Sequence, residues 1–186
     1  MGIAAPSANR FGAVSPTTSE AVIDELGNFL HKEDLVLDGG HSLIGVESSI
    51  IDCTKEFPVV LRPGAITTGM ILKITGFKIQ LGFKANDIRA PGLLESHYSP
   101  KAKVVIGSNA ESGDGFIALA NISTPNGVIR LASPKDIEEY ARVFYKALRE
   151  GDKKGLKKIT VAQPGGAGLA VAIRDRLHKA ASVNDF

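Results

Sequence analysis

The first predicted element is a helix marked by apolar residues at helical spacing. The apolar positions are Val22, Leu26, Phe29 and Leu30, which fall on one helical face. Before them, Ser15 offers an N-cap hydroxyl with proline at the next position, and Thr17 to Glu20 fits a capping box one register later. We therefore expect a helix that begins near Ser15 and carries these apolar residues on one face.

Short apolar runs follow this helix and predict strands. Residues 35–37 form a Leu-Val-Leu run that ends in an Asp-Gly-Gly turn, as a buried strand would. Two further strands are expected at 48–53 and 59–61, separated by polar turn residues and Pro58, and a short helix is expected at 67–75. Residues 84–101 hold two prolines and no sustained period, which favours a linker between domains.

Strand and helix signals alternate in the rest of the chain. Strands are expected at 104–106, 116–120, 128–131 and 159–162. A helix that begins at Ser133-Pro134 carries an apolar face, and a last helix at 169–181 follows a glycine-rich turn. The predicted fold class is α/β, with a small open sheet, expected to be parallel, in the second domain. The expected domains are 1–83 and 102–186, joined by the linker 84–101.

Composition narrows the functional classes. The chain of 186 residues is 44% hydrophobic and 23% charged, as a globular protein is. No apolar run approaches the ~20 residues of a membrane helix, so no membrane association is expected. Cys53 is the only cysteine, which excludes an intrachain disulfide and favours a cytoplasmic location.

The charge is unevenly distributed. Residues 1–101 carry a net charge of −2 and residues 102–186 a net charge of +4. The basic excess comprises Lys146, Arg149, Lys153, Lys154, Lys157 and Lys158. These residues either form a solvated helix end or make a weak contact with RNA or another polyanion.

Two segments in the first domain suit a phosphate ligand. In the segment PSAN, Ser7 and Asn9 precede the expected helix start at Ser15, so backbone N–H groups, hydroxyls and a helix dipole could converge on phosphate. An ordinary strand–loop–helix connection explains the same residues. Arg62 leaves an apolar strand before a Pro-Gly turn, where it could bind phosphate or carboxylate or lie at the surface. Ser48 starts a strand and could hold a small polar ligand.

Other polar residues carry weaker signals. Asp38, Glu47 and Asp52 could assist Mg²⁺ binding, although their spacing matches no dedicated metal site and solvated carboxylates explain them as well. His97 and Tyr98 place an imidazole beside an aromatic ring in the linker, where they either close over a nucleotide or dock the tether.

Five motifs occur in an order that resembles a known enzyme family. They are PSANRFGAVSPT, LVLDGG, GVESSIID, LRPGAI and APGLLESHYSPKA. This order is very similar to the catalytic domain and linker of the long, two-domain threonylcarbamoyl-AMP synthases of the YrdC-like family. The remaining part looks like that family's small Rossmann-like second domain. The resemblance implies a nucleotidyltransferase whose first domain is the C-terminal part of a YrdC-like twisted α/β sheet domain.

The resemblance also implies a reaction and a site. The family makes threonylcarbamoyl-AMP and pyrophosphate from L-threonine, bicarbonate and ATP, with Mg²⁺, and passes the product to a tRNA-modifying transferase complex. Carried over by motif, the ATP-binding residues are Ser7, Ser15, Arg62 and Tyr98, and the threonine-binding residues are Ala5, through backbone groups, and Ser48. Asn9 is a further neighbour, and no residue acts as a nucleophile.

Comparison with the family predicts an incomplete catalytic domain. Family members have a substantial segment before PSAN, with a basic motif that grips ATP and threonine. The basic residues before position 70 are Arg10, Lys32, Lys55 and Arg62. We therefore expect a truncated form that is inactive by itself and that self-associates through an exposed sheet edge. The alternative function is an RNA-binding or protein-interaction module without catalysis.

Overall fold

A small three-stranded sheet and two short helices form the first part of the molecule. The structure, a computed structural model, describes residues 7–54, 56–82 and 98–182. Its first elements are α1 (Ser19–Leu26), β1 (Ile50–Asp52), β2 (Val59–Arg62), α2 (Thr68–Thr75) and β3 (Gln80–Leu81). The strands follow the order β1-β2-β3, with β1 antiparallel and β3 parallel to β2. The sheet is therefore mixed.

Helix α1 begins later than the sequence predicts. The N-cap is Thr18, whose hydroxyl accepts a 3.2 Å hydrogen bond from the backbone N–H of Ala21. The prediction of a cap at Ser15 or Thr17 was wrong: the helix begins later, at Ser19, and Thr18 supplies the capping oxygen, while the Ser15 side chain is bound to Glu47. The helix also ends at Leu26; a short 3₁₀ turn (Gly27–Phe29) carries Phe29, and Leu30 follows it in extended backbone.

The predicted strand at 35–37 does not form. Leu35 and Leu37 are 79% and 80% exposed, and no strand among the described residues pairs with their backbone. The turn that follows is present, because Asp38 Oδ1 accepts a 2.9 Å hydrogen bond from the Gly40 N–H. An apolar run without a neighbouring strand has neither a ladder nor a core face to bury.

A parallel sheet forms the second part. Its elements are β4 (Lys103–Ile106), β5 (Gly115–Ile117), β6 (Ile129–Ala132), α3 (Ile137–Lys153), β7 (Lys158–Val161) and α4 (Leu169–Ala181). The four strands are parallel in the order β4-β7-β5-β6. This confirms the predicted α/β class and the parallel second sheet. The predicted start of α3 at Ser133 was wrong, since Asp136 caps it through a 2.7 Å bond from the Glu139 N–H.

The main core lies between this sheet and its two helices. It is built from Tyr140, Phe144 and Leu148 of α3, Ile173 and Leu177 of α4, and the inward side chains of the strands, including Val104, Ile117, Ile159 and Val161. Val14 and Tyr98, from outside the second sheet and its helices, belong to the same cluster. The two parts of the molecule therefore share one core.

Exposed apolar side chains are concentrated in the first part. Among the described residues, nearly all the large exposed hydrophobics lie within 11–81, and neither α1 nor α2 has a buried residue. Self-association through an exposed sheet edge stays a prediction. In the described part of the chain, no helix combines the length and apolar character needed to cross a bilayer.

Candidate functional site

Ser15 and Glu47 form the centre of the candidate site. The Ser15 hydroxyl, on a residue 6% exposed, donates a 2.6 Å hydrogen bond to Glu47 Oε1. Ser15 lies in the loop before α1, and Glu47 lies in the extended segment before β1. The Ser15 hydroxyl therefore donates to a carboxylate 32 residues away along the chain.

Two side chains from the second domain hold the other carboxylate oxygen. The Tyr145 hydroxyl donates to Glu47 Oε2 at 2.9 Å, and Arg176 Nε donates to the same oxygen at 2.7 Å. Burial alone would raise the pKa of Glu47, but the Arg176 charge and the hydrogen bonds from Arg176 and Ser15 hold that pKa below its ordinary value. Glu47 is therefore an ion-paired carboxylate, and the solvated interpretation was wrong for it.

Arg62 and Ser48 form a second contact beside this one. Arg62 lies at the end of β2, opposite Ile50 of β1, and is 7% exposed. Its Nε donates to the Ser48 carbonyl at 3.0 Å and its Nη2 to Ser48 Oγ at 3.3 Å. The structure thus brings together the residues expected to bind ATP and threonine, and Arg62 is not a surface arginine.

Tyr98 connects the two contacts. Its ring is 2% exposed, with its centroid 5.8 Å from that of Tyr145 and 5.4 Å from the Arg176 guanidinium carbon. A hydrogen bond also joins it to Arg62, and burial raises the pKa of its hydroxyl. Its φ of +63° is costly for a bulky residue, and such strain persists where surrounding contacts hold it.

Ser7 lines a cavity next to Ser15. The cavity has a volume of about 180 Å³, and its walls include Ser7, Ser15, Glu47 and Tyr145. Ser7 itself is exposed, so its hydroxyl is accessible to a ligand. Of the two PSAN residues expected at the site, Ser7 therefore lines the cavity, whereas Asn9 does not.

Asn9 braces its own loop. Its Nδ2 donates to the carbonyl oxygens of Arg10 and Ala13 at 2.9 and 3.0 Å, and it does not line the cavity beside Ser7. Ala5 and His97, which sequence reasoning also named, lie outside the described residues. Their contribution to the site stays a prediction.

Sequence reasoning did not single out Tyr145 or Arg176. A signal for Arg176 exists, because it lies on the face of α4 that also carries Ile173 and Leu177, where an apolar residue is expected. A charged residue on an otherwise buried face needs a partner of opposite charge. That partner, Glu47, is 129 residues away and could not be identified from spacing.

The carboxylates considered for Mg²⁺ do not meet. Asp38 binds a backbone N–H of its own turn, and Asp52 accepts from the backbone and hydroxyl of Thr54 at 2.9 and 2.6 Å. No group of three potential metal-ligating His, Cys, Asp or Glu side chains occurs within residues 7–54, 56–82 and 98–182.

The basic residues near the end of α3 are largely paired. Lys153 binds Asp24 at 2.6 Å, and Lys154 binds Glu150 at 3.2 Å. Lys158 binds Glu111 and Asp114 at 2.6 and 2.9 Å. Such pairs reduce the positive charge that a nucleic acid would meet, and RNA binding by this cluster stays a prediction.

Known families match both parts of the chain. Residues 66–182 match the family model described as threonylcarbamoyl-AMP synthase, C-terminal domain, and residues 1–64 match the one described as Telomere recombination. The chain is 34% identical to the threonylcarbamoyl-AMP synthase of Pyrococcus abyssi and 31% identical to that of Bacillus subtilis, and covers 57% of each. These matches take in 96% and 97% of this chain. The chain thus spans a little over half the length of the curated relatives it matches.

Solved structures agree with the sequence matches. P. abyssi Sua5 complexed with L-threonine superposes with a TM-score of 0.78 at 30% identity, over 95% of this chain and 56% of that one. A doubly substituted form of P. abyssi Sua5 gives a TM-score of 0.75 at the same identity and coverage. With the second domain and the end of the first both matched, the chain belongs to the threonylcarbamoyl-AMP synthase family.

Proposed function

We propose that the chain supplies part of the substrate site of a threonylcarbamoyl-AMP synthase, which converts L-threonine, bicarbonate and ATP to threonylcarbamoyl-AMP and pyrophosphate. The observation that carries this proposal is the meeting of Ser15, Ser48, Arg62 and Tyr98, which come from four separate motifs. A site for a nucleotide and an amino acid needs hydroxyls, a guanidinium and an aromatic ring in one place.

We propose the following roles for the residues. Ser7, Ser15, Arg62 and Tyr98 contact ATP, and Ser48, with backbone groups of Ala5, contacts L-threonine. Ser15 donates its proton to Glu47, which leaves its hydroxyl oxygen to accept a hydrogen bond from a donor of the nucleotide, such as a ribose hydroxyl or the adenine amine. Ser48 already fixes the conformation of the buried Arg62 side chain. Binding an anion therefore does not cost the conformational entropy of ordering that side chain.

The proposed reaction depends mainly on how the substrates are positioned. The threonine amine attacks the carbon of bicarbonate and water leaves, giving a carbamate. The carbamate oxygen then attacks the α-phosphorus of ATP, and the bond to pyrophosphate breaks. These steps need alignment and charge neutralisation rather than a protein nucleophile. Mg²⁺ that arrives with the ATP phosphates would supply further positive charge. The product would pass to a tRNA-modifying transferase complex, in a cytoplasmic setting.

The chain alone is expected to be a poor catalyst. It spans 57% of the length of the P. abyssi relative. Among the described residues, most of the large apolar side chains that are exposed lie within 11–81. We propose that the remainder of a YrdC-like catalytic domain covers this surface and adds the basic groups that a triphosphate needs. Pyrophosphate release from ATP, threonine and bicarbonate measures this directly. Robust turnover by the 186-residue chain would contradict the expected inactivity.

Ligand-dependent heat stabilisation tests the site independently of turnover. ATP is expected to raise the melting temperature of the chain, because a ligand that binds the folded state stabilises it by mass action. Arg62→Ala should abolish that shift. Lys32→Ala, a change at an exposed basic residue of the same part, is the matched control and should retain it. An ATP shift that survives Arg62→Ala would reject this assignment of the nucleotide site.

A further inference from the structure

Arg176 is the most deeply buried charged side chain of the candidate site. It is 0% exposed and projects from α4 of the second domain, whereas the residues proposed to bind substrate lie in the first domain and linker. A buried guanidinium is costly to desolvate, so its contacts must compensate for the loss of water. One of those contacts is with Asp175 of the same helix, and the others lead to the candidate site.

Arg176 pairs with its neighbour Asp175 at 2.5 Å, a carboxylate that Lys179 also binds, and its other contacts fall on two elements of the site. Its Nε donates to Glu47 Oε2 at 2.7 Å, and the opposite oxygen of the same carboxylate accepts from Ser15. Its guanidinium carbon lies 5.4 Å from the ring centroid of Tyr98, a distance suited to a cation–π contact. One side chain of the second domain thus touches both the acceptor of Ser15 and the ring of Tyr98.

The charge of Arg176 matters as much as its position. Glu47 precedes Ser48 and lines the cavity that contains Ser7 and Ser15. An uncompensated carboxylate there would repel the phosphates of a nucleotide. Because Arg176 neutralises it, the cavity can accept an anion.

We propose that Arg176 is a positioning residue of the nucleotide site: it fixes and neutralises the Glu47 carboxylate, which orients Ser15, and it supports the ring of Tyr98. This inference rests on the proposed function for its ligand, ATP. The ordering of Ser15 and Tyr98 by Arg176 does not depend on that ligand.

Hydrogen exchange of individual amides tests whether Arg176 orders Ser15 and Tyr98. The Ser99 N–H donates to the Gly12 carbonyl at 2.9 Å, and the Ser42 N–H donates to the Thr17 carbonyl at 2.9 Å, so both amides report on the loops around the site. The Ala162 N–H, bonded to the Ile117 carbonyl at 2.9 Å, is a reference in the second sheet. Arg176→Met should accelerate exchange at Ser99 and Ser42 by about tenfold or more and leave Ala162 unchanged.

Three further variants keep this test decisive. Arg176→Met leaves Glu47 buried without its cation and could unfold the chain, so Arg176→Met with Glu47→Gln removes both charges together. Arg176→Lys retains the charge but lacks the planar group that faces Tyr98. Arg174→Met, on the same helix but bonded to the carbonyl oxygens of Pro164 and Gly166, is the matched control and should leave exchange at Ser99 unchanged.

ATP affinity, measured by calorimetry, tests whether the contacts of Arg176 contribute to nucleotide binding. Arg176→Met should weaken ATP binding about tenfold, and the double variant should recover part of the loss because the repelling carboxylate is gone. Wild-type exchange at Ser99 in the folded double variant or in Arg176→Lys would overturn the inference. If the unaltered chain binds no ATP but the exchange rates change as expected, the proposed nucleotide site is wrong and the positioning contact stands.

Discussion

Gly45 lies against the backbone of Ala141, so closely that a Cβ at position 45 would be 2.4 Å from the Ala141 carbonyl oxygen. Gly45 has a φ of +82°, in the left-handed region that glycine adopts without strain. Gly45 precedes the Glu47 segment by two residues, and Ala141 is part of α3. The contact therefore sets how closely the first domain approaches the helix that carries Tyr145.

Gly45→Ala should destabilise the chain by about 3 kcal/mol, from left-handed strain of about 1 kcal/mol plus a backbone clash that cannot relax easily. Gly40→Ala is the matched control, because Gly40 has a φ of +79° but open space where a Cβ would lie. It should lose only the strain. Urea unfolding followed by circular dichroism compares the two, and equal losses would contradict the close contact.

The Glu47 carboxylate predicts a specific pH dependence of stability. Its pKa is lower in the folded state than the ordinary value of 4.5, so its ionised form stabilises the fold above that pH. This contribution is lost as the pH falls through the lowered pKa. Glu47→Gln should therefore be less stable than the unaltered chain at pH 6, and the difference in melting temperature should narrow below about pH 4.5.

A control for this titration is Glu33→Gln, since Glu33 is exposed and lies outside the site. Its melting temperature should follow that of the unaltered chain at every pH from 6 to 3.5. A constant difference between Glu47→Gln and the unaltered chain across that range would show that Glu47 does not titrate with folding.

Thr160 offers a stabilising substitution. It lies in β7 at 1% exposure, and within the described part of the chain its hydroxyl has no hydrogen-bond partner. An unsatisfied buried hydroxyl costs free energy, so Thr160→Val should raise the free energy of unfolding by about 1 kcal/mol. Thr67→Val should instead lower it by about 1 kcal/mol, because the Thr67 hydroxyl caps α2 through the Met70 N–H. Effects of the same sign in thermal unfolding would refute this reasoning.

Asp152 anchors the chain where it enters the second domain. Its carboxylate accepts from the Lys101 and Ala102 N–H groups, each at 2.9 Å. Asp152→Ala should cost about 2 kcal/mol because it leaves two backbone donors without their acceptor. Glu150→Ala removes a salt bridge to Lys154 between two half-exposed side chains and should cost less than about 0.5 kcal/mol. Chemical denaturation of both variants gives the comparison.

Sequence patterns were sufficient where an element's partners are close along the chain. The final helix occupies the predicted residues 169–181, because its apolar period and the glycine turn before it are local signals. The predicted helix start at Ser15 was wrong because the Ser15 side chain is bound to Glu47, which is distant in sequence, and Thr18 caps the helix instead. The Leu35–Leu37 run was wrong as a strand because apolar composition does not supply a pairing partner.

The candidate site shows the same limit. Motif resemblance named Ser15, Ser48, Arg62 and Tyr98, and the structure places these four in contact through shared partners. No motif named Arg176, because a single arginine on an amphipathic helix has many ordinary explanations until its partner is known. Contacts between residues far apart in sequence therefore account for the site residues that the sequence did not reveal.

The long separation between Glu47 and Arg176 has a consequence for biosynthesis. At about 5–20 residues per second, a ribosome needs on the order of ten seconds to add the 129 residues between them. During that interval the Glu47 carboxylate has no guanidinium and must stay hydrated, so the loops that carry Ser15 and Ser48 cannot settle. The pocket is thus one of the last features to mature in the nascent polypeptide, and translation that stalls before α4 would release a chain without an ordered pocket.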